Sequence, residues 1–259
     1  MLRCVFLMLL LAPVLLLAED WPGWRGPRGD GTSTEKSVPL EFGPDSNVRW
    51  KIDVAGSGYS SPIIVGKRIF LTSCDEKANK RLLICLDRDT GKELWQREVV
   101  TAPLEKKHSL NSFASGTPAC DGERVYVAFL AGENMVAVCY DLEGKELWRK
   151  TPGKLLSRHG FCTSPVIHKD LVILNGDQDA KAYVVALDRK TGDEKWRADR
   201  PNRTRSYCTP ILIPDPMREG ATQLVLSGSK CVTGYDADTG ELRWILDGPT
   251  EQYVASLVY

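Results

Sequence analysis

This 259-residue sequence has none of the short signatures that announce common catalytic machinery. There is no G-x-S-x-G elbow, no H-E-x-x-H, no G-x-x-x-x-G-K-S/T and no G-x-G-x-x-G opening a helix. Those absences remove the sequence grounds for an elbow-type serine hydrolase, a zincin, a P-loop nucleotide enzyme and a dinucleotide-binding fold. An excess of charge is lacking as well, since 34 Lys and Arg face 34 Asp and Glu. Nothing electrostatic therefore calls for nucleic acid or an anionic membrane as partner. The eight cysteines include no adjacent pair, no C-x-x-C and no zinc spacing. Helical periodicity is absent too. The apolar run from Val5 to Leu17 is shorter than the roughly 20 residues of a comfortable membrane span and is broken by Pro13.

What the sequence does contain is repetition. Asp87-Arg-Asp-Thr-Gly91-Lys-Glu-Leu-Trp95 returns as Asp141-Leu-Glu-Gly144-Lys-Glu-Leu-Trp148, then with Asp188, Gly192 and Trp196, and again with Asp236, Gly240 and Trp244. The Trp-to-Trp steps are 53, 48 and 48 residues, and Trp50 stands 45 residues before the first of them. One unit can be derived from its chemistry. Ser61-Pro62-Ile-Ile-Val is a short apolar strand with proline where a missing N–H costs least. Gly66-Lys67 is a two-residue hairpin signal, and Arg68-Ile-Phe-Leu-Thr-Ser is the returning strand. Leu82 to Leu86 is a third strand, ended by Asp87, whose carboxylate accepts from backbone amides two residues on. Gly91 supplies the positive φ of the next turn, and Glu93 to Val99 is the fourth strand.

Four short antiparallel strands per ~48 residues is the pattern of a propeller blade. The predicted fold is therefore all-β, a β-propeller of four-stranded antiparallel blades with about four complete blades and partial blades at both ends. An indole buries about 150–250 Å², so the repeated tryptophans are expected to pack between successive blades, with the Asp and Gly residues as turn formers. Cys85 and Cys139 share a repeat position with Ala186 and Gly234, so that position calls for a small side chain. Cys74, Cys85, Cys120, Cys139, Cys162, Cys208 and Cys231 are read mainly as core thiols, although an oxidising compartment would permit disulfides among them.

The A/C-x-D-x-x-T-G-x-x-x-W phrase, with Ser/Thr-Pro opening each unit, resembles the tryptophan-docking repeat of the pyrroloquinoline-quinone-like (PQQ-like) β-propellers. The resemblance covers about residues 47 to 259. It implies a family that includes quinone-dependent dehydrogenases, an outer-membrane assembly lipoprotein and propellers without a known ligand. Asp20-Trp-Pro-Gly-Trp24-Arg-Gly-Pro also resembles the opening of exported propellers of planctomycete-type bacteria. The adjacent cysteine pair that such quinone dehydrogenases carry over their cofactor does not occur here. PQQ with calcium is thus an implied but not a firm cofactor.

Taken in order, residues 1–18 read as a signal peptide, with Arg3, the apolar run and Ala18 before Glu19-Asp20. The mature chain is then exported, periplasmic or extracellular, and meets a membrane only through that signal. Residues 19–46 form a Gly/Pro/Trp-rich arm whose Trp21 and Trp24 lie on the propeller body. Asn47 to Val54 matches a fourth strand with no first three before it, and Glu251 to Tyr259 opens a further inner strand. A closed ring of about seven or eight blades would need its missing blades from a longer chain or a second chain.

Loops joining one blade to the next gather on one face and are the expected binding surface. They are predicted at 96–116, 149–163, 197–208 and 245–255. They carry His108, Asn111 and Ser112, Arg158 and His159, Arg203, Arg205 and Tyr207, and Glu251 and Tyr253. Convergent Arg, His, Asn and Tyr suit an anionic or hydroxyl-rich ligand; the alternative is a set of solvated loops. His168 reads as a surface turn residue, Asp177-Gln-Asp179 as a turn with too few oxygens for calcium, and Asn202-Arg-Thr204 as an uninformative glycosylation pattern. No catalytic or metal-ligating residue is assigned. The sequence reads as a binding or scaffold module for a protein or carbohydrate partner, with a PQQ-dependent oxidoreductase as the alternative.

Overall fold

The computed structural model describes residues 18–201, 205–228, 230–248 and 254–259. Among these there is no helix. Sixteen strands form four separate four-stranded sheets, each antiparallel and in chain order. Blade 1 is β1 (Ile63–Val65), β2 (Arg68–Asp75), β3 (Lys80–Asp87) and β4 (Glu93–Thr101); blade 2 is β5 (Ala119–Cys120), β6 (Arg124–Ala131), β7 (Asn134–Asp141) and β8 (Glu146–Lys154). Blade 3 is β9 (Val166–His168), β10 (Leu171–Gly176), β11 (Tyr183–Asp188) and β12 (Glu194–Asp199); blade 4 is β13 (Ile211–Pro214), β14 (Thr222–Gly228), β15 (Cys231–Asp236) and β16 (Leu242–Asp247). The first strands β1, β5 and β9 contact one another in succession, so they surround the axis. The sheets do not close into a ring.

The turn acid plays the same part in every blade, although the turn of blade 2 is one residue shorter. Asp87 Oδ1 accepts from the amides of Asp89 at 3.1 Å and Thr90 at 2.8 Å, and Gly91 follows at φ 72°. Asp141, Asp188 and Asp236 accept from backbone amides in the same way. The cores lie between neighbouring sheets. One cluster joins Phe70, Leu83 and Cys85 of blade 1 to Val125, Val127 and Val138 of blade 2. Two more join blade 2 to blade 3 and blade 3 to blade 4.

The tryptophans set how the sheets meet. A Cβ placed on Gly91 would come within 2.6 Å of the Trp50 ring, on Gly144 within 2.8 Å of Trp95, on Gly192 within 2.7 Å of Trp148, and on Gly240 within 2.5 Å of Trp196. Each indole thus lies flat on the glycine of the next motif, where only a residue without a side chain fits. The Trp50, Trp95 and Trp148 indole N–H groups each donate at 3.0 Å to a carbonyl of that motif, those of Arg88, Leu142 and Arg189. A register shift recurs in every blade between Cys85 and Leu86, Cys139 and Tyr140, Ala186 and Leu187, and Gly234 and Tyr235. It is a β-bulge that re-aims the following Trp toward the neighbouring sheet. The small residue of the repeat is the one directly across the ladder: Cys85 faces Trp95, Cys139 faces Trp148, Ala186 faces Trp196 and Gly234 faces Trp244.

The Ser/Thr-Pro dipeptides form a second inter-blade link that the sequence reading missed. The Ser61 N–H donates to Thr117 Oγ1 at 3.0 Å, Thr117 N–H to Ser164 Oγ at 3.0 Å, and Ser164 N–H to Thr209 Oγ1 at 3.1 Å. Each hydroxyl thereby satisfies an amide of the preceding blade, and each proline stands one residue outside the ladder. Thr117→Val keeps the shape and leaves the Ser61 amide without its acceptor. A loss of about 1–3 kcal/mol in unfolding free energy is expected by chemical denaturation. An unchanged midpoint would show that the relay contributes nothing.

Several expectations need correction. The outer strands run further than predicted, so the connections begin after Thr101, Lys154 and Asp199. Residues 48–54 form no regular strand, although Trp50 docks as a repeat tryptophan. Trp244 has no following motif to lie on among the described residues; it folds over its own Gly234 and donates to Gln223 Oε1 at 2.7 Å. His168 is not a surface residue. It is buried, with Nε2 2.8 Å from Asp238 Oδ1 of blade 4, because its turn faces the next sheet. The proposed signal peptide lies, apart from Ala18, outside the described residues.

Candidate functional site

The arm is placed where the sequence could not put it. Trp21 pairs with Ile64 of β1 in an antiparallel bridge, with N–O distances of 2.8 and 2.9 Å. The Cys120 N–H of β5 donates to Pro22 O at 2.8 Å. A cavity of about 190 Å³ has Pro22 to Gly29 on one side and β9 and β13 residues Val166, Ile167, Ile211 and Leu212 on the other. Residues 21–29 of the arm therefore lie against the inner strands, while residues 31–42 are exposed. The Arg25 guanidinium also donates to Leu257 O at 2.9 Å.

Above the arm the blade-to-blade connections converge. A cavity of about 460 Å³ is lined by His108, Leu110, Asn111, Ser115, His159, Cys162, Tyr207 and Val254. A smaller space of about 170 Å³ shares Ser115, Cys162, Tyr207 and Val254 with it and reaches Trp24, Tyr59, Ser164, Thr209 and Ser256. The two spaces, together the recess, adjoin through these shared residues, and Trp24 of the arm lines the smaller one. Of the eight candidate residues, His108, Asn111, His159 and Tyr207 line this recess. Ser112 sits behind it, donating to nothing outside its loop: its hydroxyl accepts from Tyr59 N–H at 3.1 Å and lies 2.7 Å from Ser115 Oγ.

The rim is organised by its own hydrogen bonds. Asn111 Nδ2 donates to His159 O at 2.7 Å and its Oδ1 accepts from Ser115 Oγ at 2.7 Å. His108 N–H donates to His159 O at 3.3 Å, tying the first connection to the second. The His108 and His159 rings meet edge-on with centroids 5.4 Å apart, and His159 meets Tyr207 at 5.9 Å. Ser157 Oγ donates to Gly160 O at 2.8 Å and lies 3.3 Å from Tyr207 Oη. Burial pushes the Cys162 thiol up to about 12, so it is a neutral wall and no nucleophile. Burial likewise raises Tyr207, against the Ser157 hydrogen bond.

The arginines are elsewhere. Arg205 is paired with Asp179, and Arg158 is exposed beside a separate groove that includes Glu105, Glu133 and Asp179. Arg203, Glu251 and Tyr253 lie outside the described residues, as does the Asn202 pattern. Asp177 is not a turn acid available to calcium: it is fully buried and bound by Arg200 Nε at 2.7 Å and Nη2 at 3.2 Å. Sequence reasoning missed Ser115, Cys162, Tyr59 and Trp24. Ser115 lies in the connection already singled out, four residues beyond Asn111, whereas the others reach the recess only through the fold. A calcium-assisted quinone would need about six to eight oxygen ligands around its metal. Among the described residues the recess holds no carboxylate, and the residues present do not fit that group.

Comparison with known proteins places this architecture. Residues 78–255 match the family described as outer membrane protein assembly factor BamB. The chain is 24% identical over 280 aligned positions to polyvinylalcohol dehydrogenase of a Pseudomonas species, covering 91% of this chain and 42% of that protein. It is 26% identical over 151 residues to methanol dehydrogenase (cytochrome c) subunit 1 of Paracoccus denitrificans, covering 53% of this chain and 24% of that protein. The crystal structure of quinohemoprotein alcohol dehydrogenase from Comamonas testosteroni superposes with a TM-score of 0.64 at 15% identity, covering 88% of this chain and 41% of that one. The chain spans less than half the length of each of these relatives. With the docked indoles, the Ser/Thr-Pro relay and a family match over most of its length, the chain belongs to the BamB-like, PQQ-repeat family of β-propellers.

Proposed function

We propose that this chain is an exported binding propeller that presents its loop face to a protein or glycan partner. The observation that carries this reading is the recess itself. His108, Asn111, His159 and Tyr207 come from three different connections, 45 or more residues apart in places, and converge on one concave surface above the axis. Concave sites with a few convergent polar groups are the common form of a binding site. Among the described residues of the recess no hydrogen bond pairs a nucleophile with an activating base, and burial pushes its thiol, Cys162, up to about 12. The signal-like first 18 residues support export.

The test is capture from envelope extracts by the full chain and by His159→Ala and Tyr207→Phe. A partner retained by the native chain and lost from both variants is expected. Identical recovery by all three would remove the loop face from the reading.

A quinone-dependent oxidoreductase is the second reading, favoured by the dehydrogenases among the relatives and opposed by a wall without a carboxylate among the described residues. Titration with PQQ and Ca²⁺, followed by absorbance and thermal shift, separates the two. The binding-propeller reading expects no spectral change and no shift in melting. A saturable shift with a new absorbance band would favour the oxidoreductase.

A further inference from the structure

We infer that the recess takes an uncharged saccharide unit, an inference that rests on the binding reading just given. The argument comes from the chemistry of the wall. Among the described residues neither compartment contains an Asp, Glu, Lys or Arg. Arg205 is held by Asp179, and the nearby Lys107 ammonium lies over the Phe113 ring, 5.0 Å from its centroid. A phosphate, a carboxylate or a metal complex would enter without a counter-charge, at a high desolvation cost.

The polar groups that are there are matched to hydroxyls. Asn111, Ser115 and Tyr207 at the mouth, and Ser164, Thr209 and Ser256 beneath, are amide and hydroxyl groups; most already make a bond within the protein, and each such group has capacity for more than one. The His159 ring makes edge contacts with His108 and Tyr207, and no hydrogen bond of its ring nitrogens is recorded among the described residues. An imidazole ring, a phenol and an amide can each hydrogen-bond a sugar hydroxyl.

Aromatic surface supplies the second half of sugar recognition. Tyr59 is 65% exposed at the recess, and Trp24 lines the same space as Tyr59. Such rings offer apolar faces to the C–H faces of a pyranose while the hydroxyl groups turn to the polar wall. The main volume of about 460 Å³ falls within the roughly 300–1,000 Å³ of small-ligand sites. Trp24 of the arm lines the smaller space, so a sugar unit seated there would meet an indole as well as the polar wall. A peptide is the weaker fit: it brings obligatory amides and carries charges that the wall does not answer.

The experiment titrates the full chain with cellotetraose, maltotetraose and chitotetraose, and with tetragalacturonate as the charged equivalent. Calorimetry gives the affinity and tryptophan fluorescence reports on Trp24. Saturable binding of at least one neutral tetrasaccharide is expected, weakened about tenfold or more in His159→Ala, the equivalent of one lost hydrogen bond at about 1.4 kcal/mol. Should His159→Ala lower the melting temperature, Tyr207→Phe carries the same test with one oxygen removed. The inference is overturned if no neutral tetrasaccharide binds at millimolar concentration, if tetragalacturonate binds better, or if neither variant weakens binding. Loss of a captured protein partner in the same variants, without saccharide binding, would sink the sugar and leave the binding propeller standing; failure of both would remove the propeller reading too.

Discussion

Trp148→Ala should lower the unfolding free energy by about 3–5 kcal/mol. Trp148 is 7% exposed, its ring lies on Gly192 of blade 3, and its N–H donates to Arg189 O at 3.0 Å. It packs with Tyr126, Cys139, Val172 and Leu187 in the cluster shared by blades 2 and 3. Truncation opens a cavity at the joint itself, where neither sheet can collapse without moving the other. Arg189 O also loses its indole partner. Against a typical total of about 5–15 kcal/mol this is a large fraction. Denaturation followed by circular dichroism would measure it. A loss under about 1 kcal/mol would mean that the indole is not wedged between sheets. Trp244, with no following motif to lie on among the described residues, should cost less when truncated.

Asp177→Ala should be comparably damaging, at about 3–5 kcal/mol, for an electrostatic reason. Asp177 and Arg200 are joined by two hydrogen bonds with both side chains at 0% exposure. Ser206 Oγ donates to the same carboxylate at 2.6 Å. The guanidinium also reaches Thr233 and the Tyr235 hydroxyl on β15. Removing the carboxylate strands a cation that no solvent reaches. The pair therefore locks the end of β10 and the connection after β12 onto blade 4, and through Ser206 it fixes the neighbouring Tyr207 at the recess. Arg200→Met combined with Asp177→Ala should recover much of the loss, because a well-packed apolar replacement removes both desolvation costs. If the double variant is no more stable than Asp177→Ala, the damage comes from lost packing and not from an unpaired charge.

The repeat residues were legible one by one. Asp87, Gly91 and Trp95 announce a turn acid, a positive φ and a large apolar ring, and each does what its chemistry requires. Even the small residue at Cys85, Cys139, Ala186 and Gly234 could be read as a size limit before its cause, the tryptophan directly across the ladder, was visible. The site was legible only in part. Loops rich in His, Asn and Tyr marked where to look, but Arg158 and Arg205 looked the same in sequence as His159 and Tyr207. Arg205 turned out to be held by Asp179, and Arg158 lies at another groove. His168 was misread because its turn sequence looks solvent-facing, while its burial depends on the blade that follows.

Local order, the four strands of each complete blade, turn positions and the spacing of the docking tryptophans were determined by the amino-acid sequence by itself, since each rests on interactions within a few residues or on a period of about 48. The course of the arm, the relay from Ser61 to Thr209, the buried Asp177–Arg200 pair and the recess were decided only by the tertiary structure. Each of these joins residues from different strands or connections, and nothing in a local pattern says which distant side chain will answer a given charge or amide.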